Sequence, residues 1–319
     1  MRQIVARLGQ SLIVVFIVTT ISFFVIRSAP GDPFSFDSTK LSQEARDRLR
    51  HQAGYDRPLP EQYVRYLGNV ARGEMGFSES RGTSVARALA DAIPNTLLLV
   101  GVALTLSVAL GMAVGVVQAT KRGGWFDQVS SPVFLVFYSL PDFWAALMML
   151  LVFGYWLNIL PQGYMGDPTM HDYYPLWRRI GDTAEHLVLP ATTLTLITIA
   201  AIARYQRTAM LEVLPADFIR TARAKGLTER EIIWRHALRN ALAPMITTLG
   251  LLFPVLLGGA VFVERVFSWP GMGALTAGAI ESRDYDLVTA SVIIGSVMVV
   301  AGNLVADLLH AAVDPRVRE

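Results

Sequence analysis

The chain has 319 residues and no cysteine, with 53% hydrophobic and 17% charged side chains and a mean hydropathy of +0.42. This apolar content exceeds that of an average soluble domain, and the absence of cysteine excludes disulfides and thiolate chemistry. The net charge of +2 does not by itself point to any class of partner.

Six long apolar stretches predict an all-α membrane protein with six transmembrane helices. A helix needs about 20 residues to cross a hydrocarbon core of roughly 30 Å, and the stretches have about that length. They lack the short alternating pattern of barrel strands, and a spanning backbone must satisfy its own hydrogen bonds. The predicted spans are residues 9–28, 94–118, 129–156, 187–205, 245–267 and 287–308.

The distribution of lysine and arginine predicts that both termini lie in the cytoplasm. The N-terminus carries Arg2 and Arg7 without an acid, and residues 204–239 hold eight basic residues against four acidic ones. The loops at 157–186 and 268–286 contain more acidic than basic residues. Short loops rich in lysine and arginine stay on the cytoplasmic side, so these two loops are expected outside.

Four segments are expected along the chain, and the first is a retained anchor because its apolar stretch exceeds that of a signal peptide. The second is a small cap on the outer face, with helices predicted at 42–53 and 61–72. In chain order the segments are an N-terminal transmembrane helix (1–28), an extracytoplasmic insertion (29–93), a five-helix core (94–310) that includes a cytoplasmic loop (207–244), and a cytoplasmic tail (311–319).

Asp142 is an ionisable residue in the middle of the third predicted span. A carboxylate in hydrocarbon is costly, so it is expected to face a cavity or a partner, and Pro141 before it frees a backbone carbonyl. One interpretation is that Asp142 and the adjacent Phe143 line a path across the membrane. The alternative is a kink residue that is hydrogen-bonded within the bundle or lies near a membrane surface.

The loop between the fourth and fifth spans is predicted to contain two helices that meet at Gly226. Asp217 begins the first helix, and glycine is the residue that most often ends one. Thr228-x-x-Glu231 is a capping box that starts the second helix, whose apolar residues recur at intervals of four. A basic loop that only fixes topology or touches anionic lipid would need no capping box, so a docking function is favoured.

Several motifs of known chemistry are missing from the sequence. No stretch fits the phosphate-binding pattern G-x-x-x-x-G-K-[ST] or the zinc pattern H-E-x-x-H, and the five histidines are far apart. No catalytic or metal-binding residues are therefore predicted in this chain.

The loop around Gly226 resembles the "EAA" coupling loop of ABC importer permeases. With Gly226 as the anchor, Arg220, Thr221 and Ala222 occupy the E-A-A positions, and only the third matches. The variant strings RTARAKGL and RHALRNALAP, together with APGDP, VFSWPGMG and RDYDLV elsewhere, resemble the dipeptide, oligopeptide and nickel group of these permeases. The long outer loop after the first span resembles the first permease of the pair.

This resemblance implies a type I ABC importer permease fold and a shared machine. A second permease would complete a heterodimer, two ATPase subunits would bind ATP and magnesium, and an extracytoplasmic binding protein would deliver the substrate. This chain itself would bind no cofactor. The residues implied to couple it to an ATPase are Arg220, Thr221, Ala222, Lys225, Gly226, Leu227, Thr228 and Glu231.

The segment that ends the fifth span is interpreted as part of an outer gate formed by Trp269, Pro270 and Gly271. The alternative is an interfacial anchor followed by a turn, since tryptophan favours the membrane surface. Glu264, just before this segment, is a candidate for the substrate path, where it would meet the amine of a substrate. It could instead pair locally with Arg265.

The function predicted from the resemblance is import of di- or oligopeptides, driven by ATP hydrolysis on partner subunits in a prokaryotic inner membrane. The same machinery could carry nickel chelates, glutathione or sugars. An ion-coupled secondary transporter is the alternative from another class, although it would be expected to show inverted repeats and several acids within its spans. A membrane-embedded enzyme would need a second catalytic group at the depth of Asp142.

Overall fold

The computed structural model describes residues 2–28, 43–44, 47–48, 51, 54 and 56–313. Within these ranges most of the chain is helical and the only strands form one short hairpin, which confirms the all-α prediction. The elements are α1 (Arg2–Arg27), α2 (Leu59–Ala71), β1 (Phe77–Ser78), β2 (Thr83–Ser84), α3 (Val85–Thr120), α4 (Trp125–Ser139), α5 (Asp142–Met149), α6 (Leu176–Val213), α7 (Asp217–Ala224), α8 (Glu229–Glu231), α9 (Leu238–Ala241), α10 (Ala243–Val266), α11 (Met272–Glu281) and α12 (Tyr285–Val313). Leu150–Trp156 and Ile232–Ala237 are π-helical, and His171–Tyr173 is a 3₁₀ turn.

Five of the six predicted membrane spans each correspond to one helix, and several of these helices are longer than the spans. Among the described residues, α1, α3, α6 and α12 are each long and apolar enough to cross a membrane. Helices α3 and α6 have 36 and 38 residues, which corresponds to about 54 and 57 Å and exceeds the hydrocarbon core. The fifth predicted span coincides with the 24-residue helix α10.

The third predicted span, 129–156, is not one helix. Helix α4 ends at Ser139, α5 begins at Asp142, and the two helical directions differ by 107°. Proline has no N–H and disfavours helical geometry in the residue before it, so Leu140 and Pro141 are extended with ψ of 138° and 137°. Asp142 is the first residue of α5, so the helix predicted across 129–156 is interrupted directly before it.

The two outer loops predicted at 157–186 and 268–286 contain more helix than expected. Helix α6 already begins at Leu176, and α11 occupies Met272–Glu281. In the insertion, the helix predicted at 61–72 is confirmed as α2, whereas most of the helix predicted at 42–53 lies outside the described residues.

The chain divides into two compact units, Met1–Asn95 with Pro270–Val300 and Thr96–Trp269 with Ala301–Glu319. The first unit contains the antiparallel hairpin β1–β2, in which Phe77 pairs with Ser84. Its core includes Val85, Leu89, Leu275, Ala279 and Leu287. The main core of the second unit includes Leu99, Val100, Leu194, Val263, Phe267 and Trp269.

Candidate functional site

The loop predicted to couple to a partner is a helical elbow, residues 217–241. Its first helix, α7, ends in a Schellman turn in which the Gly226 N–H donates to the Arg223 carbonyl at 3.0 Å and the Leu227 N–H donates to the Ala222 carbonyl at 3.3 Å. Gly226 has a φ of +80°, and glycine adopts this left-handed conformation without a Cβ penalty. The predicted helix break at Gly226 is confirmed.

The second half of the elbow begins at the predicted capping box. The Thr228 hydroxyl accepts a hydrogen bond from the Glu231 N–H at 3.3 Å, and the Thr228 N–H donates to Glu231 Oε2 at 3.1 Å. The Thr228 hydroxyl also donates to the same carboxylate at 2.8 Å. These bonds, the one from the hydroxyl foremost, lower the pKa of Glu231 below its ordinary value. The C-terminal end of α7 and the start of the next helix therefore both have capping hydrogen bonds, from the Schellman turn and from the capping box.

One side of the elbow is packed against the bundle. A buried cluster joins its apolar residues to the ends of α3 and α6, and those two helix ends belong to the same unit as the elbow. The elbow contributes Ile219, Ala222, Ile232, Ala237 and Ala241, and the two long helices contribute Val116, Ala119, Ala209 and Met210. Because these side chains exclude water, displacement of the elbow carries a cost in exposed apolar area unless α3 and α6 move with it.

The other side of the elbow is exposed. Seven of the eight residues predicted to couple are exposed, and Ala222 is the buried exception. Arg223 and Glu229 bridge the turn with hydrogen bonds of 2.7 and 3.2 Å, which raise the pKa of Arg223 and lower that of Glu229. Exposed ion pairs of this kind contribute little to stability, so this surface remains available for a partner.

The segment predicted as an outer gate forms a second Schellman turn at the end of α10. The Ser268 N–H donates to the Arg265 carbonyl at 3.3 Å, and the Trp269 N–H donates to the Glu264 carbonyl at 2.8 Å. Ser268 takes the left-handed position with a φ of +52°, which costs energy for a residue with a Cβ. Trp269 and Phe267 are buried in the core of their unit.

A loop that precedes α6 closes over this turn. The Tyr164 N–H donates to the Phe267 carbonyl at 2.7 Å. Gly163 lies so close that an added Cβ would stand 2.7 Å from the same oxygen. The turn is therefore held by its own two hydrogen bonds to α10 and by the backbone of residues 163–164, all within one unit.

The remaining predicted residues are not gathered around one cavity. Asp142 is half-buried at the start of α5, and the Phe143 ring lies 6.4 Å from the Phe262 ring. Glu264 is fully buried and accepts a hydrogen bond from the Thr96 hydroxyl at 2.6 Å. In the other unit, the Pro270 carbonyl accepts a hydrogen bond from Asn95 at 2.9 Å, and Gly271 precedes α11.

Asp284 of the RDYDLV motif has a structural role that was not predicted from the sequence. Asp284 Oδ1 accepts from the Leu287 N–H at 3.2 Å and so caps the start of α12. Its other oxygen accepts bonds from the Ser78 hydroxyl at 2.6 Å and from the Ser80 hydroxyl and N–H at 2.7 and 3.1 Å. The cap could have been recognised from an Asp before an apolar helix, but the contact with the hairpin could not.

Two further polar contacts in the second unit were also missed. Arg207 of α6 forms a bidentate ion pair with Asp127 of α4, with distances of 2.9 and 3.0 Å. Asp182 contacts the imidazole Nδ1 atoms of both His171 and His186, and the contact with His171 fixes the loop before α6 to that helix. The i,i+4 spacing of Asp182 and His186 is a short-range signal for their contact, but no such pattern signals the pairing of Arg207 with Asp127 or of His171 with Asp182.

Long apolar helices, one pair of them sharply bent, together with a preformed elbow define a helical membrane protein with a candidate docking loop. The chain belongs to the family of binding-protein-dependent transport system inner membrane components, whose model matches residues 107–319, and the N-terminal model of the same family matches residues 1–100. It is therefore a multi-pass membrane protein and the permease component of an ABC importer.

Curated relatives match nearly the whole chain. The oligopeptide transport system permease protein AppB of Bacillus subtilis is 38% identical over 98% of each chain. The dipeptide transport system permease protein DppB of Escherichia coli K12 is 36% identical over 99% of this chain and 98% of its own. The glutathione transport system permease protein GsiC of Escherichia coli O6:H1 is 33% identical over 100% and 99%.

A solved structure confirms the fold. The inward-facing MetNI methionine ABC transporter contains a chain that aligns with a TM-score of 0.58 and 18% identity, covering 71% of this chain and 96% of that chain. At this identity the likeness establishes the architecture alone. It supports the predicted type I permease fold.

Proposed function

We propose that this chain imports short peptides as one of two permeases, driven by ATP hydrolysis on two partner ATPase subunits. An extracytoplasmic binding protein delivers the substrate, and ATP and magnesium bind to the partners. Both termini face the cytoplasm, as does the elbow. The cargo is inferred from the relatives, whose names include oligopeptide and dipeptide permeases.

The observation that carries this proposal is the construction of the elbow. Two caps in succession, at Gly226 and Thr228, fix the angle between its helices without any contact from outside the chain. A loop with a fixed shape, a buried side and an exposed charged side is suited to receive a force from a docked subunit. The buried side then passes that force to α3 and α6.

The proposed mechanism is a shift between two states of the assembled transporter. Closure of the ATPases moves the elbow, and the elbow shifts the population of inward-facing and outward-facing arrangements through the helices that it contacts. The turn at 267–269 is proposed to belong to the outer gate, and Asp142, Phe143 and Glu264 are proposed to lie along the substrate path.

Transport in reconstituted vesicles tests this function. The chain is assembled with its partner permease, ATPases and binding protein, and uptake of a labelled dipeptide, a labelled pentapeptide and labelled glutathione is measured with ATP in the ATPase compartment. Uptake of a peptide that requires ATP is expected. Uptake by the chain alone, driven by a proton or sodium gradient, would instead establish a secondary transporter.

Glutathione is a second candidate cargo, because a glutathione permease is 33% identical over the full chain. Saturable glutathione uptake without dipeptide uptake in the same vesicles would favour it.

A further inference from the structure

A groove of about 770 Å³ lies between α4 and α6, within the second unit. Much of the lining of the groove is apolar, and both helices contribute to it. The lining includes Pro132, Leu135 and Tyr138 from α4 and Ala200, Ala201 and Tyr205 from α6. Its volume falls within the range of pockets that hold small organic ligands. None of the residues proposed for coupling, for the outer gate or for the substrate path lines this groove.

The end of the groove nearest the elbow is basic. Arg204 and Arg207 both line it, but they differ in their bonding. Arg207 is neutralised by its bidentate pair with Asp127. The Arg204 guanidinium is exposed and has no hydrogen-bond or ion-pair partner among the residues that the structure describes. The groove therefore offers one unpaired cation at the end of an apolar trough.

The position of Arg204 along α6 matches the boundary of the hydrocarbon. It directly follows the uncharged stretch 187–203. Helix α6 continues for nine residues beyond it to Val213, which is about 14 Å toward the elbow. A guanidinium at this depth reaches the headgroup layer, where the neighbouring Tyr205 of the groove is also favoured.

We infer that this groove binds one anionic phospholipid. The acyl chain lies along Leu135, Ala200 and Ala201, and the phosphate meets Arg204. A trough that is apolar along its length and cationic at the headgroup end matches an amphipathic anion, and basic pockets between transmembrane helices are suited to acidic lipid headgroups. A helix of the partner permease and the peptide cargo are the competing occupants. The inference does not depend on which cargo is carried.

Native mass spectrometry of the complete, delipidated transporter tests this site. The complex is titrated with phosphatidylglycerol and, separately, with phosphatidylcholine, and bound lipids are counted. Arg204→Gln is expected to weaken phosphatidylglycerol binding about fivefold, as for the loss of one arginine near the membrane surface. Arg204→Lys should retain most of the binding because it keeps the charge.

Two further variants make the test specific. Arg122→Gln removes an exposed arginine that does not line the groove, so it should leave lipid binding unchanged. Ala201→Phe fills the apolar trough and should abolish tight binding while Arg204 remains. Free glycerol phosphate should compete poorly, because it lacks the acyl chain.

Four results would overturn the inference. Equal losses in the Arg204 and Arg122 variants, or equal binding of phosphatidylcholine, would show that the groove does not select the lipid by charge. Displacement of the lipid by peptide would assign the groove to the cargo path. Failure of the assembled complex to bind any lipid there, while the isolated chain does, would show that the partner permease covers it.

Discussion

Replacing Gly226 by valine tests whether the shape of the elbow carries the coupling. A Cβ built at this position meets nothing within 4 Å, so the substitution causes no clash. The cost comes from the backbone, because a φ of +80° is left-handed. For residues with a Cβ this conformation costs about 1–2 kcal/mol, and a β-branched residue is an outlier there.

A penalty of that size lowers the population of the native elbow by a factor of about 5–30 relative to alternatives. In reconstituted transporters, Gly226→Val is therefore expected to reduce uptake per ATP hydrolysed while the ATPases continue to turn over. Gly226→Asn should be milder, because asparagine tolerates the left-handed region.

The chain supplies a matched control at Gly73. This residue follows the end of α2 in the insertion, has a φ of +79° and likewise has no neighbour within 4 Å of a built Cβ. Gly73→Val imposes the same strain far along the chain from the elbow, so it should leave coupling unchanged. Coupling that survives in Gly226→Val, or that fails equally in both valine variants, would refute the assignment.

Three other predictions concern local contacts. Thr228→Ala removes the cap and should destabilise the elbow by about 1 kcal/mol, seen as faster hydrogen exchange in residues 229–241. Because the pKa of Glu231 is lowered, the capping box should hold above pH 4.5 and be lost as pH falls through the folded pKa, and exchange measured against pH reports this. Gly163→Ala should break the bond to the Phe267 carbonyl and lower the thermal midpoint, whereas Gly181→Ala, with free space around it, should not.

The elbow could be predicted from the sequence because its determinants are local. A glycine that ends one helix and a Thr-x-x-Glu that starts the next lie within six residues, from Gly226 to Glu231, and each acts on its own neighbours. The long helices were likewise evident from uninterrupted apolar residues. Their ends extended beyond the predicted spans because polar residues continue a helix once it has left the hydrocarbon.

The other contacts could not be predicted, because they join residues far apart in the chain. The hydroxyl of Ser78 bonds to Asp284 across 206 positions, and Arg207 pairs with Asp127 across 80. For the break in the third span, the sequence predicted the position but not the size of the bend. Pro141 indicated a kink, but a proline also occurs within α6 at Pro190 without ending that helix, so the 107° bend depends on the surrounding packing.

Packing between α3 and α6 indicates where the second unit can bend. A Cβ on Gly111 would stand 2.7 Å from Ile202 Cγ2, and one on Gly115 would stand 2.6 Å from the Ala203 carbonyl oxygen, so the two helices touch with little room to slide. The elbow is buried against both, and we expect all three to move as one body. At Pro141 the backbone bonds stay on either side of the junction, from Leu140 N–H to the Phe137 carbonyl and from Ala145 N–H to the Pro141 carbonyl, so a change of angle between α4 and α5 breaks fewer bonds than a bend within a helix. We therefore expect rearrangement of this unit during transport to concentrate at that junction, beside Asp142.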